Sequence, residues 1–273
     1  MASLDLLQPE WPAPAQVRSA CSLRDGGVSG APYDSLNLGD HVGDEPQAVA
    51  RNREIHAQAL RAKPVYLKQV HGWEVVELAA GTQDGKLQVT PDGLVADACI
   101  TAQRGVACTI MVADCLPVLF CNRAGTLVGA AHAGWRGLCG EAGEGVLEHI
   151  FKRFKALDHM NTAQSATEII ASDWLVWLGP CIGPGAFEVG AEVREAFVGA
   201  DARAAECFAP QAGGKFLADL PALARQRLAR LGITHIFGND GSPAWCTVSE
   251  PSRFFSHRRD RVSGRFAASI WLV

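Results

Sequence analysis

The sequence has no apolar run long enough to cross a bilayer and no excess of positive charge. Its uncharged apolar stretches, such as 106–113, fall far short of the about 20 apolar residues of a membrane-spanning helix. The 25 lysines and arginines are outnumbered by 29 aspartates and glutamates, so no overall positive field favours nucleic acid. Residues 1–16 contain Asp5 and Glu10 and lack the basic and apolar segments of a secretory signal. We therefore expect a cytoplasmic protein that binds neither membranes nor nucleic acids.

The nine cysteines do not form a recognisable disulfide or zinc-ribbon pattern. Their number is odd, and no two of them stand in a CxxC spacing. Most lie in apolar runs, where a thiol packs as a small hydrophobic side chain. We therefore expect reduced thiols, of which one or two have a chemical role.

Hydropathy patterning predicts an α+β protein. A chain of 273 residues with 48% hydrophobic residues can form one domain with a full core, and no linker divides it, so we expect a single domain over 1–273 with a flexible tail over 1–16. Short apolar runs predict strands at 17–23, 64–70, 74–78, 98–101, 106–112, 117–121, 127–131, 174–178, 233–237 and 266–273. Helical periodicity predicts helices at 46–61, 146–157, 189–197 and 219–231. Central strands with helices outside them indicate a layered sandwich with many antiparallel strand pairs.

Three short segments place a good metal ligand at the end of an apolar strand. They carry His71, Cys115 and His132. One thiolate and two imidazoles suit zinc, and three protein ligands leave the fourth position of a tetrahedral site open. The spacing alone does not bring the three strand ends together, because a turn histidine and a core cysteine explain the same residues.

A series of motifs follows one another along nearly the whole chain. They are GGVS (26–29), SLNLG (35–39), HVGD (41–44), QVHG (69–72), ADCLP (113–117), HAGWRG (132–137), LGPCIGP (178–184) and SHRR (256–259). In this order they resemble the YfiH/YlmD family, also called the laccase-domain, polyphenol oxidase or purine nucleoside phosphorylase family. The resemblance implies a single α/β/β/α sandwich domain in which His71, Cys115 and His132 hold one zinc ion.

The resemblance also implies two activities on small molecules. One is phosphorolysis of adenosine, inosine, guanosine and methylthioadenosine, and the other is deamination of adenosine. Zinc with an open position lowers the pKa of a bound water, which suits deamination, and a carboxylate then shuttles the proton. Asp97 and Asp114 are the candidate acids because each lies at a strand edge near a ligand, although aspartates at such positions are more often turn or cap residues.

Phosphorolysis needs a site for phosphate, and the sequence offers several candidates. Arg136 lies just before the strongest predicted helix, where its guanidinium and the backbone N–H groups can bind an anion. A second basic group consists of Arg258, Arg259, Arg261 and Arg265. This group is also typical of a solvated hairpin tip. Arg53 on the first helix is a third candidate, and His41 is either a lid residue or a turn residue.

Two other activities use the same metal-ligand residues. A copper-dependent polyphenol oxidase of the multicopper type needs many histidines, commonly in HxH pairs, whereas this chain has eight histidines and no HxH. A single copper can still replace zinc at the predicted site. The other alternative is a hydrolase of a peptidoglycan precursor, with Cys115 as nucleophile and His132 as base. The sequence does not indicate the oligomeric state.

Overall fold

The computed structural model describes residues 4–78, 93–161 and 171–273, and these contain both helices and strands. The strands are β1 Leu6–Leu7, β2 Val17–Ser22, β3 Lys63–Tyr66, β4 Val75–Glu77, β5 Ala98–Thr101, β6 Val106–Val112, β7 Leu116–Asn122, β8 Val128–Ala133, β9 Trp174–Leu178, β10 Glu188–Val189, β11 Phe208–Pro210, β12 Phe216–Ala218, β13 His235–Gly238 and β14 Phe266–Leu272. The α-helices are α1 Pro46–Leu60, α2 Trp135–Cys139, α3 Val146–Asn161, α4 Ala191–Ala200, α5 Leu220–Arg230 and α6 His257–Asp260. Short 3₁₀ helices cover Ala171–Asp173, Ala202–Cys207, Ala212–Gly214 and Pro243–Trp245. The predicted α+β class is confirmed.

Two large sheets contain most of the strands. The five-stranded sheet has the order β1-β2-β14-β6-β3, and the six-stranded sheet has the order β13-β9-β7-β8-β5-β4. Strands β10, β12 and β11 form a small third sheet. Most neighbours are antiparallel, whereas β3 with β6, β4 with β5 and β13 with β9 are parallel. The sheets are therefore mixed and largely antiparallel, as predicted.

The two large sheets pack face to face, with helices on both outer faces. Ile110 of β6 and Leu119 of β7 belong to one buried cluster between the sheets. Helix α3 packs on the other face of the six-stranded sheet, where Phe154 is fully buried, and residues of α4 and α5 belong to the same buried cluster. Helix α1 covers the five-stranded sheet, with Leu60 in the buried cluster there. Full burial of such a side chain contributes about 1.5–3 kcal/mol, so these clusters hold the four α/β/β/α layers together.

Local signals fix the ends of helix α5. The Asp219 side chain accepts a hydrogen bond from the Ala222 backbone N–H at 2.9 Å, which satisfies one free donor of the first turn. Gly232 follows the helix with a φ of +82°, a conformation that glycine adopts without strain. Among the described residues, no helix combines the length and the apolar character that crossing a bilayer requires.

Two differences from the sequence-based expectation concern the segment after Gly134 and the N-terminal tail. The residues that follow Gly134 form the separate helix α2, whereas the strongest predicted helix begins only at Val146. Part of the predicted N-terminal tail joins the five-stranded sheet, because β1 pairs with β2 and the Trp11 indole N–H donates to Ser19 Oγ at 3.1 Å. Residues 1–3 of that tail lie outside the described residues.

Candidate metal centre and cavity

The side chains of His71, Cys115 and His132 meet at one end of the six-stranded sheet. Their ligand atoms all lie within 4.8 Å of one another, and the two imidazole rings are 4.8 Å apart between centroids. The strand register explains the meeting, since Pro117 of β7 lies opposite His132 of β8 and Cys115 directly precedes β7. The structure thus brings together the three predicted ligands, although they come from separate parts of the chain.

This donor set fits a metal ion. A thiolate and two imidazoles are the ligands that zinc prefers, at bond lengths of about 2.0–2.3 Å that the close spacing of the three atoms accommodates. Three protein ligands leave one position open for a reactant. No second group of three such ligands comes together in the part of the chain that the structure describes.

Asp97 holds both histidines of the cluster in place. Its carboxylate accepts hydrogen bonds from the consecutive backbone N–H groups of Val70, His71 and Gly72 at 2.8 to 3.1 Å. The same carboxylate accepts from His132 Nδ1 at 2.8 Å, which leaves Nε2 of that ring as the free ligand atom. Asp97 is fully buried and does not line the cavity. Its burial and its four hydrogen bonds suit a residue that positions the two histidines.

The charges of the cluster favour a thiolate at Cys115. Burial by itself raises the pKa of this thiol, but the charge of His132 and hydrogen bonds from His132 and His71 outweigh it and lower the pKa to about 6. Burial lowers the pKa of His132, whereas Cys115 and Asp97 together raise it above its usual value. Since thiolate is the form that binds a metal, the site has a prepared ligand.

Gly134 allows the close packing of the metal ligands. A Cβ atom at this position would lie 2.9 Å from Cys115 Sγ and 3.0 Å from the His71 ring carbon Cδ2. Both distances are shorter than ordinary van der Waals contact, so any side chain here must displace a ligand. Only glycine therefore fits between β8 and α2.

A cavity of about 460 Å³ opens beside the three ligands. It is lined by His41, Gln69, His71, Met111, Val112, Ala113, Asp114, Cys115, His132, Trp135, Arg136, Ile182, Phe187, Leu220, His257, Arg258, Arg261 and Arg265. Among the described residues, this lining includes apolar side chains and four arginines. Concave sites of this size with a few convergent polar groups are typical binding sites for small molecules.

Asp114 connects the turn that carries Cys115 to helix α6. Its carboxylate accepts a hydrogen bond from Thr247 Oγ1 at 2.6 Å and another from the Arg258 backbone N–H at 2.6 Å. Its backbone carbonyl accepts from the Ile182 N–H at 2.8 Å. Because Cys115 follows directly in the chain, Asp114 fixes the arginine-bearing helix relative to a metal ligand.

The predicted phosphate-binding residues divide into two groups. Arg136, Arg258 and His41 line the cavity. Arg53 does not, because its guanidinium donates to the Leu38 carbonyl at 2.9 Å and pairs with the Asp40 carboxylate at 3.1 Å. The expectation that Arg53 binds phosphate is therefore not supported by its position.

Arg259 also faces away from the cavity, although it lies beside Arg258 in helix α6. Its guanidinium donates to the Thr247 carbonyl at 2.6 Å and to the carboxylate of Asp260 at 2.7 and 2.8 Å. The basic group predicted as a loop is thus partly helical, and the helix turns neighbouring arginines in different directions. Arg261 and Arg265 of the same group line the cavity.

His41 stands at the cavity with a half-exposed side chain. Its Nδ1 lies 3.5 Å from the Asp40 carboxylate. Burial and the nearby charge of Arg265 lower the pKa of His41, while Asp40 opposes this effect.

Sequence reasoning missed several residues that shape the cavity. Phe187, Ile182 and Leu220 form part of its apolar wall, and Thr247 anchors Asp114. Thr247 is 133 positions away from Asp114 in the sequence. No local sequence pattern distinguishes these residues from ordinary core and turn residues.

The chain is similar to known proteins over almost its full length. A family model described as "Multi-copper polyphenol oxidoreductase laccase" matches residues 18–273. Purine nucleoside phosphorylase YfiH of Escherichia coli (strain K12) is 50% identical over 270 residues, which cover 98% of this chain and 99% of that protein. Purine nucleoside phosphorylase PA4543 of Pseudomonas aeruginosa is 49% identical over 267 residues, covering 97% and 98%.

Solved structures agree with these sequence matches. Protein NMB0706 of Neisseria meningitidis superposes with a TM-score of 0.80 at 44% identity, covering 98% of both chains. YlmD of Geobacillus stearothermophilus superposes with a TM-score of 0.81 at 29% identity, covering 100% of this chain and 97% of that one. The chain therefore belongs to the multi-copper polyphenol oxidoreductase laccase family, and the resemblance to YfiH and YlmD proteins is confirmed.

Proposed function

We propose that this chain is a zinc-dependent purine nucleoside phosphorylase that also deaminates adenosine. The substrates are adenosine, inosine, guanosine and methylthioadenosine together with phosphate, and the products are a free base and ribose-1-phosphate or its methylthio form. One observation carries the proposal: the His71, Cys115 and His132 cluster lines a cavity that is also lined by arginines. Two relatives at about half identity bear the name purine nucleoside phosphorylase.

The cluster would hold the zinc, and bound zinc supplies a Lewis acid with one open position. Cys115 contributes a thiolate, since its pKa is lowered to about 6. Asp97 orients His132 through Nδ1 and fixes the loop of His71 through backbone N–H groups. Carboxylates in this position typically strengthen metal binding.

The remaining cavity residues would bind the two substrates of the phosphorolysis. A phosphate oxygen bonds to C1′ of the ribose as the bond from C1′ to the purine nitrogen breaks, and the departing base takes up a proton. Guanidinium groups bind the phosphate by paired hydrogen bonds. Phe187 and Ile182 offer the purine an apolar surface that excludes water.

Deamination requires a group that carries a proton from water to the departing ammonia. Of the two predicted acids, only Asp114 lines the cavity. We assign it this proton transfer, with the carboxylate as the acceptor. Its two hydrogen bonds, from Thr247 and from the Arg258 N–H, hold it in a fixed orientation.

The test begins with the metal content of the purified protein, measured by mass spectrometry. The protein is then incubated with adenosine and inosine, with and without phosphate. We expect the purified protein to contain zinc. Inosine should yield hypoxanthine and ribose-1-phosphate only when phosphate is present, and adenosine should yield inosine. The His71→Ala variant should lose both activities. The absence of these products from zinc-loaded wild type would overturn the proposal.

A copper-dependent polyphenol oxidase is the second candidate, because the description of the matching family favours it. The described residues bring together one three-ligand group, whereas a multicopper oxidase needs several. Copper can nevertheless replace zinc, since it binds such ligands more tightly. Protein that contains copper on isolation and oxidises phenols without added metal would favour this candidate. Phenol oxidation that appears only after copper loading would indicate metal substitution.

Inhibitors distinguish the metal-free hydrolase from the two metal-dependent candidates. Cys115 acting as a nucleophile predicts that alkylation abolishes activity while a chelator has no effect. A metal site predicts that the chelator abolishes activity and that added zinc restores it. We place the activity in the cytoplasm, where cysteines such as the nine free ones here stay reduced.

A further inference from the structure

We propose that Arg136 and Arg261 form the phosphate subsite of the cavity. This inference rests on the proposed phosphorolysis and assigns two specific residues to the anionic substrate. Four guanidinium groups line the cavity, and their existing partners distinguish them. Two of them donate hydrogen bonds to backbone carbonyls of the protein, and the other two are available to bind a ligand.

Arg258 and Arg265 already have hydrogen-bond acceptors in the protein. Arg258 Nη1 donates to the carbonyls of Ala186 and Glu188 at 3.3 and 3.1 Å. Arg265 Nη1 donates to the carbonyls of Ser263 and Gly264 at 2.8 and 3.0 Å. These bonds fix the two side chains against the backbone of the surrounding loops. Their main role is to shape the wall.

The side chains of Arg136 and Arg261 have no hydrogen-bond or ion-pair partner among residues 4–78, 93–161 and 171–273. Arg136 lies over the Trp135 ring, with its guanidinium carbon 4.5 Å from the ring centroid. Stacking of this kind orients a guanidinium and leaves its N–H groups available. Within the described residues, neither guanidinium is therefore held by a hydrogen-bond acceptor of the protein.

The acidic side chain of the cavity already accepts hydrogen bonds. Among the described residues, Asp114 is the only carboxylate that lines the cavity. Both of its oxygens accept hydrogen bonds, one from Thr247 and one from the Arg258 N–H. Two free guanidinium groups without an acidic partner are what a tetrahedral dianion such as phosphate requires.

Short connections tie both arginines to the metal ligands. Arg136 follows Gly134, which packs against Cys115 and His71. Arg261 ends helix α6, where its backbone N–H donates to the His257 carbonyl at 2.9 Å. That helix is fixed beside Cys115 by Asp114. The two arginines thus line the cavity from segments that flank the metal cluster, and both side chains are exposed.

The test compares Arg136→Gln, Arg261→Gln and the double variant with wild type and with Arg51→Gln. Arg51 is a matched control, because it is exposed, pairs with Glu54 and does not line the cavity. Calorimetry measures the Kd for inorganic phosphate, and steady-state kinetics measures the KM for phosphate at saturating inosine. Metal content and thermal unfolding confirm that each variant is folded and loaded.

We expect each single change to raise the Kd and the KM for phosphate about tenfold, as expected for the loss of a charged hydrogen-bond donor. The KM for inosine should stay near the wild-type value, and Arg136→Lys and Arg261→Lys should recover part of the phosphate affinity. Arg51→Gln should behave as wild type. Adenosine monophosphate is titrated in parallel, because a nucleotide carries the same phosphate chemistry.

The outcomes separate this inference from the proposed function. If wild type cleaves inosine with phosphate and both variants keep the wild-type KM for phosphate, the subsite assignment is wrong and the function stands. If wild type binds phosphate through the two arginines and cleaves no nucleoside, the function is wrong and the subsite stands. Arginine-dependent binding of adenosine monophosphate without binding of inorganic phosphate would overturn the assignment to free phosphate.

Discussion

The change Asp97→Asn tests whether one buried carboxylate organises the metal centre. It replaces one oxygen by an NH₂ group and keeps the size of the side chain. Asp97 lies outside the cavity, so the change removes no group that contacts the substrate. Any effect on the metal therefore reports the positioning of His71 and His132.

The hydrogen bonds of Asp97 give the expected magnitude. Oδ1 accepts from His132 Nδ1 at 2.8 Å and from the His71 N–H at 2.9 Å, and Oδ2 accepts from the N–H groups of Gly72 and Val70 at 2.8 and 3.1 Å. An amide retains one oxygen, so two of the four donors lose their acceptor. Each such buried donor costs about 1–3 kcal/mol, and the free energy of unfolding should fall by about 2–6 kcal/mol. Zinc affinity should fall about 10–100-fold.

Competition with a chromophoric chelator measures the zinc affinity, and urea unfolding of the metal-free protein measures the stability. Asp25→Asn is the control, since Asp25 is exposed and does not line the cavity. Wild-type zinc affinity together with unchanged stability in Asp97→Asn would refute the positioning role. A lower free energy of unfolding with unchanged zinc affinity would show that Asp97 stabilises the loop of His71 but does not position the metal ligands.

Three further changes test the packing and the electrostatics around the site. Gly134→Ala should displace Cys115 Sγ and lower the zinc content measured by mass spectrometry, whereas an unchanged content would show that the ligands can move apart. Arg227 Nε lies 2.7 Å from Glu148 Oε1. Arg227→Met should lower the free energy of unfolding in urea by about 3–5 kcal/mol, because it leaves the Glu148 carboxylate buried without a partner. His56→Gln tests a pH effect: burial lowers the pKa of His56 to about 4, so the unfolded state binds its proton first as the pH falls below about 6.5. Between pH 7 and pH 4, the free energy of unfolding of wild type should therefore fall by up to about 3 kcal/mol more than that of His56→Gln. An equal fall with pH in the two proteins would contradict this.

Local patterns predicted much of the fold. The bounds of β5, β6 and β9 agree with apolar runs between turn residues, because these strands are buried on both faces. The Asp219 cap and Gly232 marked the ends of α5. Helix α2 was missed, because five residues are too few to show a helical period.

The ligands were found because each one lies in or within a few residues of an apolar strand, and the family resemblance supplied their convergence. The roles of the charged residues depend instead on distant partners. Asp97 receives hydrogen bonds from a loop about 26 positions earlier, and Arg53 pairs with a side chain from another loop. Arg258 and Arg259 are neighbours in the sequence, yet only Arg258 lines the cavity. Side-chain direction of this kind is set by tertiary contacts that a local pattern does not contain.

X-ray absorption at the zinc edge tests the central claim most directly, since it reports which atoms surround the metal. The account predicts one sulfur at about 2.3 Å and two imidazole nitrogens at about 2.0–2.1 Å around one zinc ion per chain. The sulfur contribution should disappear in Cys115→Ser. A shell of oxygens alone, or a sulfur that persists in that variant, would contradict the assignment of His71, Cys115 and His132 as the metal centre.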